Sequence, residues 1–165
     1  MPLVMWRFDS AKAVEGWAAV DDRVMGGVSR SRLRYDPSGY AVFEGEVSLE
    51  QNGGFASVRS PAGSLGLAGA SDCLLEVRGA AKHFKLSLFG TQGNVALGYQ
   101  AEFRPVAMRW TAIRLPIDGF VASLRGRRIP GAPPLDPAHI QQAGIMISKQ
   151  QEGAFALDVR SIILE

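Results

Sequence analysis

Apolar and polar residues alternate with period two along most of this chain, which is the pattern of half-buried β-strands. In residues 40–50 (YAVFEGEVSLE), the odd positions from Ala41 to Leu49 share one face, and the even positions from Glu44 to Glu50 are polar. Similar alternation lies at residues 84–88, 95–103 and 155–163, with shorter apolar runs at residues 74–77, 113–117 and 145–147. The pattern predicts about eight to ten strands in an all-β sandwich.

Helical signals are few and short. Residues 10–15 are predicted to form one helix, capped by Asp9 or Ser10, and residues 137–142 another. The second has Asp136 at its N-cap, Pro137 at its first position and Gly144 just past its end. Both are expected to be connectors. The glycine- and proline-rich residues 125–134 (RGRRIPGAPP) are predicted to form a long surface loop.

Two segments with a glycine pair interrupt the strands, at residues 20–33 (VDDRVMGGVSRSRL) and 50–60 (EQNGGFASVRS). Glycine adopts positive φ and allows another group to approach the backbone closely, so each segment is predicted to be a sharply turned loop entering a strand. Loops on a regular scaffold are where binding residues are expected. The similarity of the two segments predicts neighbouring loops that shape one recognition surface.

Composition limits the classes of protein that fit. The chain has 165 residues, 47% of them hydrophobic and 21% charged, with a formal net charge of +2. These values are typical of one globular domain spanning residues 1–165, and they do not favour a nucleic-acid-binding protein. The start of the chain resembles neither a secretory signal nor a transit peptide, and no apolar run approaches the roughly 18 residues that cross a bilayer. A cytoplasmic protein that does not span a membrane is therefore expected.

Catalytic chemistry finds little support. The only histidines are His83 and His139, and the single cysteine, Cys73, opens an apolar strand where a buried, unreactive thiol is expected. Nothing indicates a cofactor, a zinc site or another metal centre made by histidine and cysteine. Asp21 and Asp22 precede the first glycine pair. The favoured interpretation is that one of them holds the turn through bonds to the backbone, and a calcium site remains an alternative that the spacing does not decide.

Arginines and tryptophans each allow two interpretations. Arg30, Arg32 and Arg34 alternate on one strand face, and with the arginines of residues 125–128 they could recognise an acidic group. A solvated strand face is the favoured alternative. Core packing is likewise favoured over sugar stacking for the tryptophans, which are Trp6, Trp17 and Trp110. Nucleic acid is disfavoured because no aromatic ladder accompanies the arginines.

Several segments together resemble the bacterial branch of the complex I intermediate-associated protein family, whose eponym is the thirty-kilodalton mitochondrial assembly factor for NADH:ubiquinone oxidoreductase. In the amino-terminal half they are Trp17, Asp22 and residues 24–29, 43–49 and 52–59. In the carboxyl-terminal half they are Trp110, Phe120, Ile140 and residues 77–79, 99–103, 114–116, 134–136, 144–145 and 153–159. The chain departs from many members at Ala80 and Ala81, where they have a Gly-Asp-Gly turn.

The resemblance implies a jelly-roll β-sandwich like a galactose-binding domain, and a non-catalytic role. It favours a protein partner, such as subunits of a respiratory complex. A carbohydrate- or small-ligand-binding, lectin-like module is the alternative, and a hydrolase is disfavoured. We expect the exposed binding patch to contain Asp21, Asp22, Arg23, Ser29, Arg30, Asn52 and Arg59.

Overall fold

The computed structural model describes residues 2–21, 29–50, 54–79, 82–92, 95–124, 127–148 and 151–165. Within these ranges the chain forms thirteen strands: β1 (Leu3–Arg7), β2 (Ala18–Ala19), β3 (Arg30–Asp36), β4 (Tyr40–Val47), β5 (Ala56–Arg59), β6 (Asp72–Gly79), β7 (Phe84–Gln92), β8 (Val95–Phe103), β9 (Thr111–Pro116), β10 (Val121–Leu124), β11 (Arg127–Arg128), β12 (Ile140–Ile147) and β13 (Gly153–Leu164). Helical structure in the same ranges includes single 3₁₀ turns at Ala11–Val14, Ile117–Gly119 and Pro137–His139.

The strands form two antiparallel sheets. The six-stranded sheet has the order β3-β4-β13-β6-β9, and β1 also pairs with β13. Strand β13 is long enough to hold β4 against Gly153–Val159 and β1 against its last residues, with a register irregularity between Val159 and Ser161 on its β6 side. The seven-stranded sheet has the order β11-β10-β8-β7-β12-β5-β2. The predicted all-β jelly-roll sandwich is confirmed.

The core lies between the two sheets and follows from the alternation. In β7, Phe84, Leu86 and Leu88 are fully buried, whereas Lys85 and Phe89 point to the opposite, outer face. Phe43 and Phe155 of the six-stranded sheet lie 4.9 Å apart between ring centroids, and Phe43 lies 6.2 Å from Phe84 of the other sheet. These aromatic rings join the two inner faces, which is why the sandwich has one continuous apolar interior.

The second predicted helix is wrong beyond its first turn. Asp136 accepts a hydrogen bond from the backbone N–H of Ala138, so the capping signal is real, but the helical turn ends at His139. Ile140 begins β12, which pairs with β7 on one side and with β5 on the other. Two ladders of backbone hydrogen bonds therefore outweigh a local helical preference. At residues 127–128, part of the expected surface loop pairs with β10 as β11.

Candidate functional site

Asp21 joins the two sheets at one edge of the sandwich. Its Oδ1 accepts hydrogen bonds from the Ser57 backbone N–H at 3.0 Å and from the Ser31 hydroxyl at 2.5 Å. Its Oδ2 accepts from the Ser31 backbone N–H at 3.0 Å. Ser31 lies in β3 of the six-stranded sheet and Ser57 in β5 of the seven-stranded sheet. The carboxylate thus bonds to the backbone of β3, the edge strand of one sheet, and of β5, just past its pairing with the short edge strand β2, and the residue is only 7% exposed.

Ser29 has a comparable structural position. It is fully buried, and its hydroxyl accepts from the Ser48 backbone N–H at 3.0 Å and donates to the Ser48 carbonyl at 3.3 Å. Asp21 and Ser29 therefore do not contribute to an exposed patch. The flanks of the two glycine-pair segments do adjoin, since the Ser31 hydroxyl lies 3.2 Å from the Ser57 carbonyl.

The other expected site residues are separated. Arg30 is exposed at the start of β3, opposite Glu46, whereas Arg59 lies at the end of β5 on the other sheet. Asp22, Arg23 and Asn52 lie outside the described residues, as do Gly27, Ala80 and Ala81. Of the expected residues that the structure describes, Arg30 lines a hollow on the six-stranded sheet, and Arg59 lies on a second surface with an aromatic neighbour.

That surface is the outer face of the seven-stranded sheet, which we call the groove face. The Phe89 ring lies across β7: a Cβ at Gly98 of β8 would meet one ring edge at 2.9 Å, and a Cβ at Gly144 of β12 would meet the other at 3.4 Å. The Arg59 guanidinium lies 4.5 Å from the ring centroid. Burial lowers the pKa of the Arg59 guanidinium from its ordinary value. Glycine at both neighbouring positions thus makes room for an arginine stacked on an aromatic ring.

Beside this stack, an open groove of about 300 Å³ runs over β7, β8 and β10, and Lys85, Gln100, Glu102, Val121, Ser123 and Arg128 line it. The Gln100 amide donates to the Ser87 hydroxyl at 3.2 Å, and Ser87 is buried in the floor. Glu102 accepts from His83, whose Nδ1 lies 2.8 Å from the carboxylate. None of these residues was expected from the sequence to belong to a site. The sequence did contain one signal for this surface. Phe89 directly follows the inward-facing Leu88, so the alternation places an aromatic residue on the outer, polar face of the strand.

The outer face of the six-stranded sheet is different, because most of its strand arginines are paired with carboxylates. Arg32 lies 2.7 Å and Arg34 3.1 Å from the carboxylate of Glu44. Burial acts against ionisation of Glu44, but the hydrogen bonds from these arginines prevail and lower its pKa. Two of the three arginines in the β3 stripe, Arg32 and Arg34, thus form a cross-strand ion-pair cluster with Glu44. It adjoins a hollow of about 390 Å³ next to Gly45 and Phe155. The arginines of β11 lie at the far edge of the other sheet, so the two sets do not combine.

Trp110 lies on the same outer face, not in the core. The guanidinium carbon of Arg160 lies 3.9 Å from its ring centroid and that of Arg78 4.7 Å away. Trp6 and Trp17, by contrast, pack edge to face at 5.1 Å and contact the core cluster. Core packing therefore accounts for two of the tryptophans, and arginine stacking for the third.

Reactive groups are isolated in the described part of the chain. His83 pairs with Glu102, and His139 with Asp136 at 2.7 Å, so neither imidazole is hydrogen-bonded there to a serine, threonine or cysteine. Cys73 is fully buried, and burial raises its pKa to about 12. No group of three histidine, cysteine or acidic residues that could hold a metal ion occurs among the described residues. Nor does any helix in these residues have the length and apolar character needed to cross a membrane.

Known structures share this fold. A family 11 carbohydrate-binding module from Clostridium thermocellum, solved with a β-1,3-1,4-mixed-linked tetrasaccharide, superposes with a TM-score of 0.72 at 14% identity, covering 99% of this chain and 94% of that one. The same kind of module from a cellulosomal cellulase of that organism gives 0.71 at 14% identity, covering 96% and 92%. An agarase gives 0.62 at 11% identity over 99% of this chain and 26% of the enzyme.

Sequence comparison identifies the family. Comparison with curated proteins finds no matching sequence. The family model described as Complex I intermediate-associated protein 30 (CIA30) matches residues 6–159, which is nearly the whole chain. It includes β2 to β12 in full, the last two residues of β1 and residues 153–159 of β13. The chain therefore belongs to the Complex I intermediate-associated protein 30 family.

Proposed function

We propose that this protein is a non-catalytic binding module that contacts other proteins during the assembly of a larger complex. The observation that carries the proposal is the stacking of arginines on aromatic rings at both outer faces, Arg59 on Phe89 and Arg160 on Trp110. Arginine and aromatic residues are enriched at protein interfaces, and arginine and tryptophan are enriched among the residues whose loss costs most binding energy. The description of the family, an intermediate-associated protein of complex I, supports a respiratory complex as the assembly concerned.

The absence of catalytic activity is part of the proposal. Each histidine is engaged by a carboxylate, and the one cysteine is enclosed in the core. A general base must reach the proton that it removes, and a nucleophilic cysteine must be accessible as the thiolate. The buried Cys73 thiol does not meet the second requirement, and no described serine, threonine or cysteine is hydrogen-bonded to either imidazole, which supports binding as the activity.

Carbohydrate binding is the second candidate, and one observation favours it. The groove face is open and carries amide and hydroxyl groups at Gln100 and Ser123, on a fold shared with carbohydrate-binding modules. Against it, the Arg59 guanidinium is already stacked on the Phe89 ring, where it competes with the stacking of a neutral sugar. This contrast makes the protein partner the better-supported proposal.

A deletion strain of the organism that encodes this chain tests the first proposal. We expect less fully assembled complex I on native gels, an accumulated subassembly, and recovery of both when the wild-type gene is restored. Normal assembly and normal NADH:ubiquinone oxidoreductase activity in the deletion strain would contradict the proposal.

Calorimetry with the purified protein tests the second candidate. Titration with a mixed-linked β-1,3-1,4 tetrasaccharide should give no binding heat and no change in melting temperature. Saturable binding that is lost on changing Gln100→Ala, but kept in Asp118→Asn on an exposed turn, would favour the carbohydrate function instead.

A further inference from the structure

The two outer faces of the sandwich differ in how their cations are balanced. On the six-stranded sheet, five arginines have a carboxylate within 4.0 Å, namely Arg32, Arg34, Arg78, Arg114 and Arg160. On the groove face, Arg59, Lys85 and Arg128 form no ion pair with any described residue. The one acidic side chain lining the groove, Glu102, lies opposite Lys85 in the register but pairs with His83 at 2.8 Å. The groove face therefore carries positive charge that the fold itself does not neutralise.

Arg59 is held in position although it has no counter-ion. Its guanidinium is stacked 4.5 Å from the Phe89 centroid, and burial disfavours its charged form. A partly dehydrated guanidinium without a carboxylate is costly, and an incoming carboxylate that accepts two of its N–H groups offsets that cost. Because the arginine is already ordered by the ring, little side-chain entropy remains to be lost on binding.

The three cations extend across the strands. From Arg59 on β5 to Arg128 on β11 the sheet order has five strand intervals, which is roughly 24 Å at about 4.8 Å per interval. Lys85 on β7 lies between them, two intervals from Arg59. An extended peptide advances about 3.3 Å per residue, so about seven residues span the distance. Ser87 and Gly144 lie near the centre of this path, and their small size leaves space above the sheet for a bound chain.

We propose that the groove face docks an extended acidic segment of a protein partner, whose carboxylates pair with Arg59, Lys85 and Arg128. The inference rests on the proposed function, because it assigns that function to one of the two outer faces. A protein segment is favoured over an acidic glycan for two reasons. The Arg59 guanidinium is already stacked on the Phe89 ring, where it competes with the stacking of a sugar, and the path also includes the exposed apolar side chain of Val121, which suits a side chain of a peptide.

Fluorescence anisotropy with a labelled peptide of about eight residues, alternating glutamate and alanine, tests the proposal. We expect saturable binding that weakens as salt is raised, since partly exposed charges are screened. Arg59→Gln, Lys85→Gln and Arg128→Gln should each weaken binding by about fivefold or more. Arg114→Gln on the six-stranded sheet removes the same charge from a paired arginine, and it should leave the affinity unchanged.

Three results would overturn the proposal: no binding of the peptide, an equal loss in Arg114→Gln, or binding of an oligogalacturonate of similar length in place of the peptide. If Arg59→Gln fails to fold, the test relies on Arg128→Gln, at a more exposed position, and on Lys85→Gln. Complementation separates this inference from the proposed function. If the deletion strain loses complex I assembly and the triple-glutamine variant restores it fully, the docking face is wrong and the function stands.

Discussion

Removing the Asp21 carboxylate should destabilise the fold more than any exposed acidic substitution. The carboxylate accepts hydrogen bonds from two backbone N–H groups and one hydroxyl, and it does so at only 7% exposure. In Asp21→Ala, the N–H groups of Ser31 and Ser57 lose their acceptor. A buried donor left unsatisfied costs about 1–3 kcal/mol, so with the lost hydroxyl bond the free energy of unfolding should fall by about 3–6 kcal/mol. That is a large part of the roughly 5–15 kcal/mol typical of a domain.

Asp21→Asn is the milder variant, because the amide keeps one acceptor oxygen. Its NH₂ group is a donor and replaces one of the two acceptor oxygens. It must therefore face another donor: either the backbone N–H of Ser31, or the Ser31 hydroxyl and the backbone N–H of Ser57. We expect a loss of about 2–4 kcal/mol. Asp118→Asn, on the exposed turn Ile117–Gly119, is the matched control and should change stability by less than about 0.5 kcal/mol.

Urea denaturation followed by circular dichroism measures all three variants, and the shift of the midpoint multiplied by the slope gives the change in free energy. The expected order of destabilisation is alanine, then asparagine, then the control. If both Asp21 variants lie within about 0.5 kcal/mol of Asp118→Asn, the carboxylate does not hold the sheet edges together and the reasoning is refuted. A single cooperative transition in the wild-type protein would also support one domain over residues 1–165.

Two further predictions concern ionisation. The arginine side chains of β3 lower the pKa of Glu44 against the effect of its burial, so carboxyl NMR should give a titration midpoint below the ordinary glutamate value of about 4.3. Because the pKa of Glu44 is lower in the folded state, the stability contributed by its ion pairs is present above the unfolded-state pKa and is lost as the pH falls through the folded-state pKa. Glu44→Gln should therefore reduce the loss of stability at acidic pH. An unchanged dependence of stability on acidic pH would contradict the argument. Cys73, with its pKa raised to about 12 by burial, should react with a thiol reagent only after unfolding, and rapid labelling of the native protein at neutral pH would show that the thiol is accessible.

The two predictions of short helices show how far local signals reach. At residues 10–15 the structure contains a 3₁₀ turn, Ala11–Val14, and Ser10 makes no side-chain cap. At Asp136 the cap is present, but β7 and β5 recruit the following residues into the seven-stranded sheet. Capping residues specify where a turn begins, whereas the length of the helix depends on what the next residues can pair with.

Period-two alternation was enough to predict the longer strands and the sandwich, but not the short strand β11, because whether successive side chains point inward or outward is a property of each strand alone. The same local pattern placed Cys73 in the core. It did not show which strands lie side by side, since pairing depends on contacts between distant parts of the chain. Asp21 forms hydrogen bonds to residues 10 and 36 positions away in the sequence. Arg59 of β5 reaches Phe89 of β7 across β12, where Gly144 leaves room for the contact. Tertiary structure alone therefore decided that Asp21 joins two sheets, that Arg32 and Arg34 pair with Glu44, and that the cations of the groove face have no carboxylate partner among the described residues.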